Sequence, residues 1–98
     1  MITVLQTNEF VKWLKRLKDV EARARILVRI RRLSLTENFG DAKSVGDGVC
    51  EMRIEHGPGY RLYYARRDNA VVLLLIGGDK SSQQRDIAKA KKLNLEYR

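Results

Sequence analysis

Four residues in the second half of the chain are of a type and spacing that could do chemistry: Arg53, Arg61, Tyr63 and Lys80. Arg53 lies in the alternating run 49–55. Arg61 and Tyr63, two residues apart in 60–65, fall on one face of a strand, and pairing with the first run would bring them beside Arg53. Lys80 follows the apolar run 70–76, which forms a neighbouring strand. Such a group suits the scission of RNA by its own 2′-hydroxyl. Cations stabilise the charge that develops on phosphorus, a tyrosine can stack on a base, and no metal is required. Proton transfer is the open step. Arginine stays protonated and is a poor general base, which leaves a deprotonated Lys80, a tyrosine, His56 or a group from elsewhere. His56 borders the turn Gly57-Pro58-Gly59, where a lone histidine is more often a turn residue.

Other chemistries are not written in the chain. It lacks the phosphate-binding GxxxxGK[ST] loop, GxGxxG after a strand, HExxH and GxSxG. A single Cys50 cannot close an internal disulfide, and with one His56 it cannot build a four-ligand structural zinc site. No cofactor or metal is expected. The run Gly77-Gly78-Asp79-Lys80-Ser81 has the wrong spacing for a phosphate loop and reads as a strand exit, although its amides and the helix start after it could hold one phosphate.

The elements that must position these residues follow from periodicity. Ile2 to Leu5 reads as a short strand, and Thr7 or Asn8 can cap a helix whose inner face is Phe10, Trp13, Leu14 and Leu17. Asp19 caps a second helix with the stripe Ala22, Ile26, Ile30 and Leu33, and so short a connection makes a helical hairpin. Glycines 40, 46 and 48 mark a loop. From Val49 the alternation predicts a half-buried strand, with Cys50, Met52 and Ile54 facing one way and Glu51, Arg53 and Glu55 the other. The Gly-Pro-Gly turn leads into the returning strand 60–65. The run 70–76 is apolar throughout, as expected of a central strand covered on both faces. Asp79 or a serine caps a last helix anchored by Ile87, Ala90 and Leu93. The order β-α-α-β-β-β-α describes one α+β domain over 1–98. In it an N-terminal strand and a helical hairpin pack on a small, mostly antiparallel sheet, with a C-terminal helix.

A net charge of +8 on 98 residues favours polyanionic partners, although solubility alone can account for such an excess. With 44% hydrophobic and 33% charged residues, this is a globular chain with a charged exterior. No run approaches the roughly 18 apolar residues of a membrane span, and the N-terminus lacks the pattern of a signal peptide, so a cytoplasmic protein with no membrane partner is expected. Between Lys12 and Arg32 nine basic residues face only Asp19 and Glu21. Arg25, Arg29 and Arg32 share one helical stripe, where like charges oppose one another and an anionic partner would relieve them. An ordinary solvated face is the plain alternative. Candidate RNA-binding residues are these three, Lys43, and Arg85 and Lys89 on the basic last helix.

The segments Glu51-Met52-Arg53-Ile54, Gly57-Pro58-Gly59-Tyr60-Arg61-Leu62-Tyr63 and Gly77-Gly78-Asp79-Lys80-Ser81-Ser82-Gln83, followed by Asp86-Ile87, resemble the addiction-module killer proteins, HigB-like toxins of the RelE/ParE superfamily. The likeness extends to Trp13-Leu14-Lys15-Arg16-Leu17-Lys18-Asp19, the Arg-rich second helix and Asn38-Phe39-Gly40-Asp41, so it spans nearly the whole chain. The resemblance implies a RelE/ParE-like fold and the toxin of a type II toxin–antitoxin system. Such a toxin cuts mRNA in the ribosomal A site and is restrained by a cognate antitoxin, often a helix-turn-helix protein. Operator DNA would be reached only through that antitoxin. The resemblance sets Arg61 on the arginine that RelE-like enzymes use at the scissile phosphate. It sets Arg53 where RelE has a strand lysine, and Lys80 on a basic residue after the last strand. Glu51 departs from the pattern, standing near a position that is basic in RelE, and Tyr97 is the candidate for the C-terminal tyrosine or histidine of other members. ParE-like members poison DNA gyrase without cutting RNA, so that activity and a nonenzymatic RNA-binding module are the competing readings.

Overall fold

In a computed structural model of the chain, which describes residues 1–97, eight regular elements alternate as β-α-α-β-β-β-β-α. They are β1 (Thr3–Gln6), α1 (Asn8–Arg16), α2 (Val20–Thr36), β2 (Ala42–Gly46), β3 (Val49–Ile54), β4 (Tyr60–Asp68), β5 (Val71–Asp79) and α3 (Gln83–Glu96), with a single 3₁₀ turn at Lys80–Ser82 before α3. One sheet contains all five strands in the order β1-β5-β4-β3-β2. β1 runs parallel to β5 and every other pairing is antiparallel.

β2 is one strand more than the sequence suggests. The glycines around it bound the strand instead of dissolving it. Its register with β3 pairs Ala42 with Met52 and Lys43 with Glu51, then slips between Ser44 and Gly46. The hairpin closes through Asp47 and Gly48, both at positive φ.

Alternation along the strands splits the core in two. On one face Met52, Ile54, Leu62, Tyr64, Val72 and Leu74 pack with Phe10 and Leu14 of α1 and Ala22, Ile26 and Leu33 of α2. On the other, Val49, Tyr63, Ala65, Leu75 and Ile76 pack with Ala90 and Leu93 of α3. The sheet is therefore covered on both sides, and β3 is not half-buried: Glu51, expected to face solvent, is wholly buried under α3. β5 is buried along nearly its whole length, although β4 is the middle strand of the five.

The helix starts behave as their sequences require. Thr7 Oγ1 accepts the Phe10 amide at 3.0 Å and donates to the Leu75 carbonyl at 2.6 Å, so the cap also ties α1 to β5. The Asp19 carboxylate accepts the Ala22 amide at 3.0 Å. β1 pairs with β5 only as far as Leu74, and α1 flanks the remainder of β5. There Gly77 lies against the Trp13 ring so closely that a Cβ would run into it. No described helix is long and apolar enough to cross a membrane.

Candidate active site and nucleic-acid interface

The strand register gathers the candidate cations at one corner of the face under α3. Arg53 is the direct partner of Arg61, and Arg61 is the partner of Gly78; one step along, Glu51 opposes Tyr63, which opposes Ile76. Lys80 leaves β5 two residues after Gly78. Its Cβ and the Arg61 guanidinium both border Gly59, whose φ of +80° only glycine adopts readily.

Arg61 is held, with 8% of its surface exposed. Its Nη1 donates to the Gly59 carbonyl at 3.1 Å, and its Nε lies 3.7 Å from Glu51 Oε2. That same oxygen accepts the Tyr63 hydroxyl at 3.1 Å and Gln83 Nε2 at 2.9 Å. A buried carboxylate thus balances a buried guanidinium and fixes one edge of it. The second terminal nitrogen, Nη2, makes no bond among the described residues and is not among the sealed polar atoms, so that edge of the fork reaches the surface. Arg53 is half-exposed, with its Nε 3.2 Å from Asp41 Oδ2. Lys80 is exposed and enters none of the ion pairs among the described residues. The corner brings together three cationic residues, Arg61 held in place and Arg53 and Lys80 more exposed.

Four expectations are corrected by this geometry. Tyr63 is wholly buried, and burial followed by the neighbouring Glu51 charge pushes its hydroxyl well above the usual phenol range. It neither stacks on a base nor gives up a proton, and it serves to position Glu51. His56 Nε2 lies 3.2 Å from Asp19 Oδ2 at the start of α2, tied to the helix cap and not to the arginines. Tyr97 donates to Glu9 Oε1 at 2.8 Å and follows the far end of α3 from Gln83, roughly 20 Å along the axis. Arg29 is not free for phosphate: its two terminal nitrogens donate to the Arg53 carbonyl at 2.9 Å and the Phe39 carbonyl at 3.1 Å. Its guanidinium packs against Gly40, and burial lowers its pKa.

The other candidate interface residues divide. Arg25 pairs with Glu21 across one helical turn at 3.1 Å, and Arg32 is exposed; both line a groove of about 480 Å³ with Val28, Ile54 and Glu55. Lys43 is exposed on β2 opposite Glu51. Arg85 and Lys89 line a different groove, of about 520 Å³, between α1 and α3, together with Lys12 and Arg16. Sequence reasoning missed Glu51 and Gln83 as site residues. The one signal for Glu51 was its register two places before Arg53, on the face Arg61 shares.

A family model for the phage-derived protein Gp49-like (DUF891) matches residues 12–95. The chain belongs to this Gp49-like family. The family is associated with RelE-type toxins of toxin–antitoxin systems. A Haemophilus influenzae protein described only as uncharacterized is 48% identical over 95 residues, which are 97% of this chain and 95% of that protein. The matched span of the Gp49-like chain contains Glu51, Arg53, Arg61, Lys80 and Gln83. It leaves out Glu9 and Tyr97, the pair that docks the end of α3 on α1.

Proposed function

We propose that this Gp49-like protein is the toxin of a type II toxin–antitoxin system and a ribosome-dependent mRNA endonuclease of HigB-like character, working in the cytoplasm without a metal. The observation that carries the reading is Arg61: a nearly buried guanidinium clamped by Glu51 and the Gly59 carbonyl, in a residue that pairs across the strands with Arg53 and shares the border of Gly59 with Lys80. A fork fixed before substrate arrives suits stabilisation of charge that appears only in the transition state.

In the reaction the 2′-oxygen attacks the adjacent phosphorus, the bond to the 5′-oxygen breaks, and a 2′,3′-cyclic phosphate and a free 5′-hydroxyl result. Arg61 and Arg53 neutralise the non-bridging oxygens. Lys80, as an ammonium, donates a proton to the departing 5′-oxygen. The 2′-proton leaves to water or to a ribosomal group, because Tyr63, Tyr97 and His56 are engaged elsewhere. A cognate antitoxin of helix-turn-helix type restrains the toxin by covering the basic surface.

Primer extension on mRNA from induced cells tests the reading. New cleavage ends are expected with the wild-type protein, and Arg61→Ala should lower cleavage on the order of 10²- to 10³-fold. Growth arrest with intact mRNA would sink it, and accumulation of topoisomerase–DNA complexes would point instead to gyrase.

A further inference from the structure

The groove between α1 and α3 has two basic rails. Lys12 and Arg16 are one turn apart on α1, and Arg85 and Lys89 are one turn apart on α3, and all four line the same cleft. Like charges at that spacing weaken each helix. None of the four enters an ion pair among the described residues. The two carboxylates in the cleft are engaged: Glu9 accepts the Tyr97 hydroxyl, which holds its carboxyl below the usual range, and Asp86 accepts the Ser82 hydroxyl. The cations therefore make no contact ion pair in the cleft, and Glu9 acts on Lys12 and Lys89 only through space. The stripe on α2 is different, because Arg25 is paired with Glu21 and Arg29 is bound to two carbonyls.

The position of the cleft is equally informative. Asp86 lines it and stands over Gly78, the strand partner of Arg61, so its inner end adjoins the cationic corner. The partly exposed Trp13 indole adds aromatic surface of the kind against which unpaired bases stack. We infer that the α1–α3 groove, and not the arginine stripe of α2, is the track for the sugar-phosphate backbone of single-stranded RNA leading away from Arg61. This rests on RNA being the target, the reading given above.

Binding of a fluorescein-labelled 12-nucleotide oligouridine, followed by anisotropy over a salt series, tests the assignment. The strand carries 2′-O-methyl groups, which cannot attack phosphorus, so no RNA is cut and the Arg61–Glu51 pair stays intact. Replacing Lys12, Arg16, Arg85 and Lys89 together by glutamine should flatten the plot of log affinity against log salt by about 3, four contacts at roughly 0.7 each. Replacing Arg25 and Arg32 by glutamine should change it by less than one contact. The Lys12→Gln, Arg16→Gln pair alone should give half the full effect, which keeps the test decisive if the fourfold variant does not fold. An unchanged slope in the groove variants, or a loss confined to the α2 variant, overturns the inference. So does an oligoglutamate of equal charge that binds as tightly and depends on the same four side chains, since the groove would then be an acidic-peptide site. Groove-dependent RNA binding by a protein that leaves cellular mRNA intact would remove the nuclease reading and keep the groove.

Discussion

Arg61 and Glu51 form an ion pair in which the carboxylate is wholly buried and Arg61 Nε, 3.7 Å away, is sealed from solvent without a closer hydrogen-bond partner. A pair of this kind contributes little net stability while intact and costs a good deal when broken, because the survivor is left charged and dry. Glu51→Ala should therefore destabilise the protein by about 3 kcal/mol. Urea denaturation of Glu51→Ala, Arg61→Ala and the double variant measures the coupling. The double variant is expected to be more stable than the sum of the single losses predicts. Strict additivity would show that the two side chains do not act on each other.

Arg29 is a brace between α2, β3 and the Phe39–Gly40 segment. Lysine cannot reproduce the fork that reaches two carbonyls. Arg29→Lys should lower stability by about 1–3 kcal/mol and leave the salt dependence of RNA binding unaltered. A changed salt slope at unchanged thermal stability would return Arg29 to the interface.

Gly77→Ala forces a methyl group against the Trp13 ring. The overpacking should cost about 1–3 kcal/mol, and Trp13→Leu in the same chain should recover part of it. Thermal melts of the two single variants and their combination provide the readout; a Gly77→Ala protein as stable as wild type would show that the ring moves aside freely.

The Asp19 carboxyl is held below its ordinary value first by the Ala22 amide and then by His56. Its folded-state pKa is depressed, so the stabilisation is fully present above the unfolded value near 3.8 and is lost as pH falls through the lower folded value. Asp19→Asn should flatten the acid limb of a stability-versus-pH curve below about pH 4 and leave the neutral region much less affected. Superimposable acid limbs would remove Asp19 from the linkage.

The pairing of Arg53 with Arg61 was legible because two period-2 runs flank a tight Gly-Pro-Gly turn, which leaves few possible registers. The caps Thr7 and Asp19 and the apolar stripes of α1 and α2 were legible for a similar reason: each depends on neighbours within a turn or two. Glu51 was not. A glutamate in an alternating strand reads as solvent-facing, and its burial is decided by α3, whose Gln83 lies 32 residues further on. β2 was hidden because Lys43, Ser44 and Gly46 carry no apolar alternation and the strand pairs on one side only. The roles of Arg25 and Arg29 were obscured in the same way: composition counts the charges but does not reveal that Glu21 and two backbone carbonyls already engage them.

The parallel pairing of β1 with β5 joins Thr3 to Val71, one of the first residues made to one of the last third. During synthesis β1 has no strand to join until translation has passed β5, and Gln83 reaches Glu51 later still. The clamp on Arg61 thus closes only when the chain is nearly finished.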